Sequence, residues 1–273
     1  MENSPKARYD VDSLAFMKGT LYTNSFRLFT CTTSNVLCVI RTRGSARPSL
    51  NRARHRHHDH IVSFIGFCEL PYQSPFFVLP FFTNGHMLQF LKLHPTEQLR
   101  MITEVALAVQ YLHEEAGVVH GDLKCQNVLV SDEQSARLID FSPLEISDDD
   151  NDIKGIVTLR ELKFQAPEII NSGLNSSKAY QPPQKTMAMD IYAFGMLILQ
   201  ACTTVDPWPL IRSPYDIIIL VAKEGAHPPL PEDMCHDLTS LCMKCWSFNP
   251  NDRPSIGDVV AALNDASRRS HDI

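Results

Sequence analysis

Residues 118–130 read VVHGDLKCQNVLV. Apolar β-branched residues close the stretch at both ends and read as strand ends, while Asp122, Lys124 and Asn127 lie between them. Asp122 and Asn127 are five residues apart, which places them on a loop rather than a helix. A carboxylate held in such a loop accepts a hydroxyl proton, an amide oxygen ligates a divalent cation, and a lysine neutralises a phosphoryl group in transfer. Thirteen residues past Asn127 the run LIDFS reads as a strand ending in Asp140, an oxygen donor of the kind magnesium favours. Taken singly, each is an ordinary turn residue, because Asp and Asn side chains bond nearby backbone readily. Their combination asks for a chemical explanation.

Working outward, FRLFTCTTSNVLCVI at 26–40 is rich in β-branched and aromatic residues and predicts a hairpin with TTSN as its turn. IVSFIGFCEL and PFFVLPFF supply two further strands, so the first 80 residues predict a small antiparallel sheet. SARPSLNRARH makes a poor helix, because Pro48 and crowded like charges oppose it. After TNG at 83–85 the period changes. Leu88, Leu91, Leu99, Ile102, Val105, Val109 and Leu112 recur every three or four residues, the stripe of amphipathic helices with a break at Pro95. Further helices are expected at AMDIYAFGMLILQACTT, CHDLTSLCMKCW and SIGDVVAALNDAS, with EISDDDNDIKG as an acidic loop. The expected fold class is α+β: one domain over 1–273, with a small β-rich N-terminal lobe over about 15–82 and a larger α-helical lobe over about 83–268.

At this point the chain resembles the protein kinase family. HGDLKCQN is similar to the catalytic loop H-R-D-L-x-x-x-N, DFS at 140–142 to D-F-G, and QAPE at 165–168 to A-P-E, in the family's order. DIYAFG and CWSFNPNDRPS resemble its later helical motifs, and HHDHIVSFIGFC and FVLPFFTNGHMLQFLKLHP its fourth strand and hinge. The details look most like the tyrosine-kinase-like serine/threonine group. The resemblance implies a bilobal protein kinase-like fold and Mg-ATP-dependent phosphoryl transfer to protein serine or threonine. It implies Asp122 as catalytic base and Lys124 as the phosphate-neutralising lysine, with Asn127 and Asp140 holding magnesium. Asn127, Asp140, Leu129 and Cys38 are the implied cofactor-binding positions for ATP and Mg2+. Glu168 is expected to pair with Arg253, and Asp190 to tie its helix to the backbone of the catalytic loop.

The phosphate-gripping parts of the family's pattern are missing. Its loop G-x-G-x-x-G-x-V lets backbone approach phosphates closely because glycine has no side chain. Here Tyr22, Asn24 and Arg27 stand at the glycine positions and Phe29 at the valine, and Gly19 is the only glycine before Gly44. The strand V-A-I-K matches LCVI, which puts Ile40 at the lysine; a shift of one offers Arg41. Nothing acidic lies between Val39 and Asp59, so the partner glutamate is absent, with Ser49 nearest in position. Gly121 replaces the arginine of H-R-D and Ser142 the glycine of D-F-G. Two functions from different classes therefore stand side by side: an active kinase using another cation, Lys18 among the candidates, and a pseudokinase that holds partners. An altered exon join between CVIRTRG and RHRHHDH is a third explanation.

Composition bounds the rest. The apolar fraction of 44% and charged fraction of 21% are those of a globular chain. FGMLILQAC and DIIILVA are too short to span a bilayer and the N-terminus has no apolar signal core, so no membrane partner and a cytoplasmic or nuclear location are expected. The net charge of −6 argues against a nucleic-acid partner. Residues 41–58 hold six arginines and no acid, a patch suited to an acidic partner beside the protein substrate or signalling partner. The eight cysteines read as reduced thiols, and the lone pair Cys242 and Cys245 lacks a second pair of zinc ligands.

Overall fold

The computed structural model describes residues 20–23, 26–29, 37–41, 57–63, 66–68, 76–139, 159–175 and 185–271. The aromatic and β-branched segments near the N-terminus form β1 (Thr20–Thr23), β2 (Phe26–Phe29), β3 (Leu37–Arg41), β4 (Gly66–Cys68) and β5 (Phe76–Pro80). They build a five-stranded sheet in the order β1-β2-β3-β5-β4, antiparallel at each pairing. β2 and β3 form the expected hairpin, with Arg27 opposite Val39 and Phe29 opposite Leu37. β1 was not foreseen: it pairs with β2 so that Tyr22 faces Arg27, which makes two of the missing glycine positions ladder partners. Ile40 lies opposite Phe77 and Arg41 opposite Phe76. The expected poor helix, the partner position Ser49 and the acidic loop at 145–155 fall outside the described residues, as does Lys18.

Among the described residues, β1–β5 fall in one unit, and His58–Ile61 together with the residues from Thr83 onward fall in a second. The first helix of the second unit is α1 (Met87–Leu93), capped by His86 Nδ1, which accepts from the Gln89 N–H at 3.3 Å. Pro95 ends α1 and opens a 3-10 turn into α2 (Gln98–Gln110), as its missing N–H and fixed φ dictate. A π turn at Tyr111–Glu115 finishes that helix, and β6 (Val128–Val130) and β7 (Ala136–Leu138) make a two-stranded ribbon. There follow α3 (Leu159–Leu162), α4 (Pro167–Asn175), α5 (Met187–Thr203), α6 (Pro214–Ile217) with a π turn to Lys223, α7 (His236–Cys245) and α8 (Ile256–His271). Ser255 and Asp258 form a reciprocal cap at the start of α8: Ser255 N–H donates to Asp258 Oδ2 (3.1 Å) and Asp258 N–H to Ser255 Oγ (3.2 Å).

α5 is the centre of this unit. Every residue from Met189 to Ala201 is buried, so the helix is surrounded on all sides, which explains why its sequence is apolar with almost no polar face. Gly195 permits a close approach: a Cβ there would lie 2.7 Å from Trp246 Nε1 and 2.9 Å from Cys245 Cβ. Trp246 and Trp208 are both buried in this core. Cys242 sits against the Gly195 carbonyl (Sγ···O 3.6 Å), and burial pushes the Cys245 thiol up to about 12. Both act as small core residues. Near the start of the unit, His58 stacks on Tyr111 at 5.1 Å, and burial followed by the nearby His60 charge lowers its pKa. No helix among the described residues is long and apolar enough to cross a membrane.

Candidate active site

The loop 118–127 is fixed from behind by α5. Asp190, in the first turn of that helix, is fully buried, and a buried carboxylate requires donors. It finds three. Oδ2 accepts from the His120 N–H (2.7 Å) and lies 2.9 Å from His113 Nε2, while Oδ1 accepts from the Gly121 N–H (2.8 Å). Two successive backbone amides thus converge on one carboxylate, and Gly121 takes φ +82° where they do, a left-handed conformation that suits glycine. His120 completes the anchor from inside. Its Nε2–H donates to the Ile139 carbonyl (2.8 Å) and its Nδ1 accepts from the Asp122 N–H (3.1 Å), which uses the neutral ring fully. Burial holds its pKa below the ordinary histidine value, against the opposing pull of Asp190.

Asp122, Lys124 and Asn127 come together on this support. Lys124 Nζ reaches both carboxylate oxygens of Asp122, at 2.8 Å to Oδ1 and 2.6 Å to Oδ2. Asn127 Nδ2 donates to the Asp122 carbonyl and to Oδ2, each at 2.7 Å. With its amide nitrogen turned to Asp122, Asn127 keeps Oδ1 as the atom able to face a cation. Ile139, the residue before Asp140, donates its N–H to the Asn127 carbonyl (2.9 Å). Asp140 itself lies outside the described residues. Leu129 is buried in β6, bridged to His86. Cys38 is in β3, opposite Leu28 and Leu79, with its side chain outside the described residues.

Sequence reasoning missed the group that holds the far end of the loop. Gln200 Oε1, inside α5, accepts the Cys125 N–H (2.8 Å), and Gln200 Nε2 donates to Asp206 Oδ1 (2.7 Å), which also takes Gln126 Nε2 (3.0 Å). One signal was visible: a lone glutamine inside the apolar run FGMLILQAC. Glu168 and Arg253 meet as expected through two parallel bonds of 2.7 Å. Arg253 further donates to the Ala188 carbonyl (2.9 Å) and the Ser247 carbonyl (2.9 Å), and its guanidinium lies 5.1 Å from the Tyr192 ring centre.

A carboxylate in the grip of a lysine and an asparagine, on a loop locked to a buried aspartate, is the arrangement phosphoryl transfer uses. The family described as protein tyrosine and serine/threonine kinase matches residues 48–263. The chain belongs to the protein kinase family. Its fold is accordingly the α+β protein kinase fold. The kinase match begins after β3, so the strand carrying Ile40 precedes it. Among similar kinases, the serine/threonine/tyrosine-protein kinase HT1 of Arabidopsis thaliana is 29% identical over 214 residues, covering 76% of this chain and 50% of that protein. The putative serine/threonine-protein kinase/receptor R818 of Acanthamoeba polyphaga mimivirus is 29% identical over 215 residues, 76% of this chain and 12% of its own. The serine/threonine-protein kinase STY17 of Arabidopsis thaliana is 25% identical over 224 residues, 79% and 36%. This kinase chain therefore spans half or less of the length of these relatives.

Proposed function

We propose that this kinase domain transfers the terminal phosphoryl group of ATP to serine or threonine hydroxyls of a protein substrate, with Asp122 as base. The observation that carries the reading is the Asp122 carboxylate held at 2.6–2.8 Å by Lys124 and at 2.7 Å by Asn127. An acceptor hydroxyl delivered to Asp122 loses its proton to the carboxylate. Oδ1 is the less encumbered oxygen, since Oδ2 already takes bonds from both Lys124 and Asn127. Lys124 carries the positive charge that an incoming phosphoryl group needs, and a turn of its ammonium from Asp122 to the phosphate frees the base while the charge stays on the lysine. Asn127 keeps the base aimed through its two bonds to Asp122. Asn127 Oδ1 and the Asp140 carboxylate are the groups that would hold magnesium, which when bound screens the charge of the phosphates. Cys38 and Leu129 are the positions proposed to flank the nucleotide. The phosphate-gripping side fits less well, since its glycines are absent and Ile40 stands at the lysine position.

That misfit favours a second reading, a pseudokinase that holds a protein partner without turnover. The arginine-rich stretch 41–58 suits an acidic partner in either case, and we place both readings in the cytoplasm. Incubation with labelled Mg-ATP and a generic protein substrate, beside an Asp122→Asn variant, decides between them. The expected result is transfer that falls by about 10²–10⁴-fold in the variant, the usual contribution of a general base. Absence of transfer in the parent protein rejects the first reading, and a thermal shift with ATP, with and without magnesium, then tells whether nucleotide still binds.

A further inference from the structure

Five of the eight cysteines lie in the second unit. Cys125, Cys242 and Cys245 are buried, Cys202 is half-buried, and Cys235 is exposed. The packing of α5 on α7 sets where the last two stand. The helices touch at Gly195, whose carbonyl lies 3.6 Å from Cys242 Sγ and against which Cys245 packs. Cys202 lies seven residues, about two turns, beyond Gly195 on α5, and Cys235 lies seven residues before Cys242, at the N-cap of α7. Two turns return to the same face of a helix. Cys202 therefore extends the stripe of α5 that faces α7, and Cys235 heads the buried stripe of Leu238, Cys242 and Cys245. The thiols register their proximity: burial first and the nearby Cys235 second push Cys202 up to about 12, and burial, Cys245 and Cys202, in that order, raise Cys242. Cys202, past Gly195, thus stands near Cys235, before Cys242, so the two helices run in opposite directions and bring these two positions level.

We propose that Cys202 and Cys235 form a modification site: a disulfide that closes between them, within one chain, on reaction with a hydroperoxide. The Cys235 side chain makes no cap hydrogen bond to α7 and is exposed, so an oxidant in solution meets it first. Its sulfur, as thiolate, attacks the terminal peroxide oxygen; the O–O bond breaks, the hydroperoxide leaves as water or an alcohol, and Cys235 becomes a sulfenic acid. The Cys202 sulfur then attacks the Cys235 sulfur, the S–O bond breaks, and the Cys202 proton leaves with the hydroxide as water. Two electrons pass from the thiol pair to one peroxide, and the balance closes with no further reagent. Burial keeps Cys202 protonated, which confines the first step to Cys235. A metal does not account for the thiols: among the described residues no group of three Cys, His, Asp or Glu side chains is placed to hold one. The bridge ties α7 to the end of α5 that carries Gln200, whose Oε1 takes the Cys125 N–H. It is independent of whether the chain turns over ATP.

The full chain, reduced and desalted, is treated with hydrogen peroxide in modest molar excess, blocked with N-ethylmaleimide and digested without reductant for mass spectrometry. The expected result is a cross-linked peptide pair joining Cys202 to Cys235, lighter by two hydrogens than the reduced peptides together, in a protein that stays monomeric on a non-reducing gel; dithiothreitol separates the pair. Cys235→Ser forms no bridge at Cys202. Cys202→Ser stops at the sulfenic acid, which dimedone traps on Cys235, and circular dichroism checks that both variants are folded. The peptide map of the parent protein decides whether or not a variant folds. A bridge from Cys202 to Cys125 or Cys242, a bridge between two chains, no bridge at all, or dimedone captured on Cys202 in place of Cys235 overturns the proposal.

Discussion

His120 has no room for a second proton. Its Nε2–H is given to the Ile139 carbonyl, and its Nδ1 receives the Asp122 N–H, so protonation at Nδ1 would set two donors against each other. The ring's pKa is lowered in the fold, chiefly by burial. The unfolded chain, whose histidine titrates near the ordinary value of about 6.5, therefore takes up this proton first. The contribution of His120 to stability is full above that value and is lost as pH falls from it toward the depressed folded value. His58 is lowered too and adds in the same direction. Urea unfolding at about pH 7.5 and about pH 5.5 is expected to show a smaller loss of stability on acidification in His120→Gln than in the parent protein; equal losses would remove His120 from the account. The histidine's position was legible from the loop motif. Its tautomer was not, because that is decided by Ile139, nineteen residues away.

Among the elements, α5 does two jobs with two polar residues of its buried, mostly apolar span Met189–Ala201. Asp190 holds one end of the loop and Gln200 the other. Asp190→Ala strands two backbone amides and His113 without their acceptor, and is expected to destabilise the chain by about 3–5 kcal/mol, the range seen when one partner of a buried charged group is deleted. Thermal or urea unfolding measures it, and a loss under about 1 kcal/mol would show that water replaces the carboxylate. The helices read well from the sequence wherever their signals were local: Pro95 breaks α1 from α2, and the three-to-four period of Leu99 to Leu112 marks α2. β1 went unread because a four-residue strand without turn glycines carries little pattern. The run DIIILVA was seen only as apolar; its β-branched residues suit a strand, yet tertiary burial of Ile217, Val221 and Ala222 makes it helical. Gln200 and Asp206 form bonds across 75 and 80 residues to Cys125 and Gln126, and such pairings leave no trace in local spacing.

For the whole molecule, the α+β class and the grouping of Asp122, Lys124 and Asn127 were legible because one ordered set of motifs runs through the second unit. The phosphate-gripping half was legible chiefly as departures, in Tyr22, Asn24, Arg27 and Ile40. Restoring the charge tests that register directly. Under the proposed kinase reading, Ile40→Lys, which restores the cation of the family's V-A-I-K strand at the β3 position opposite Phe77, is expected to enlarge the thermal shift produced by Mg-ATP. An unchanged shift would assign the missing role to another position. Trp208 and Trp246 are the only tryptophans in the chain, and both are buried in the second unit. Tryptophan emission, excited selectively over tyrosine, therefore watches that unit and has no source in the sheet β1–β5, whereas far-ultraviolet circular dichroism records both. The gap between those two denaturation curves, with no label attached, measures how far the two units melt independently.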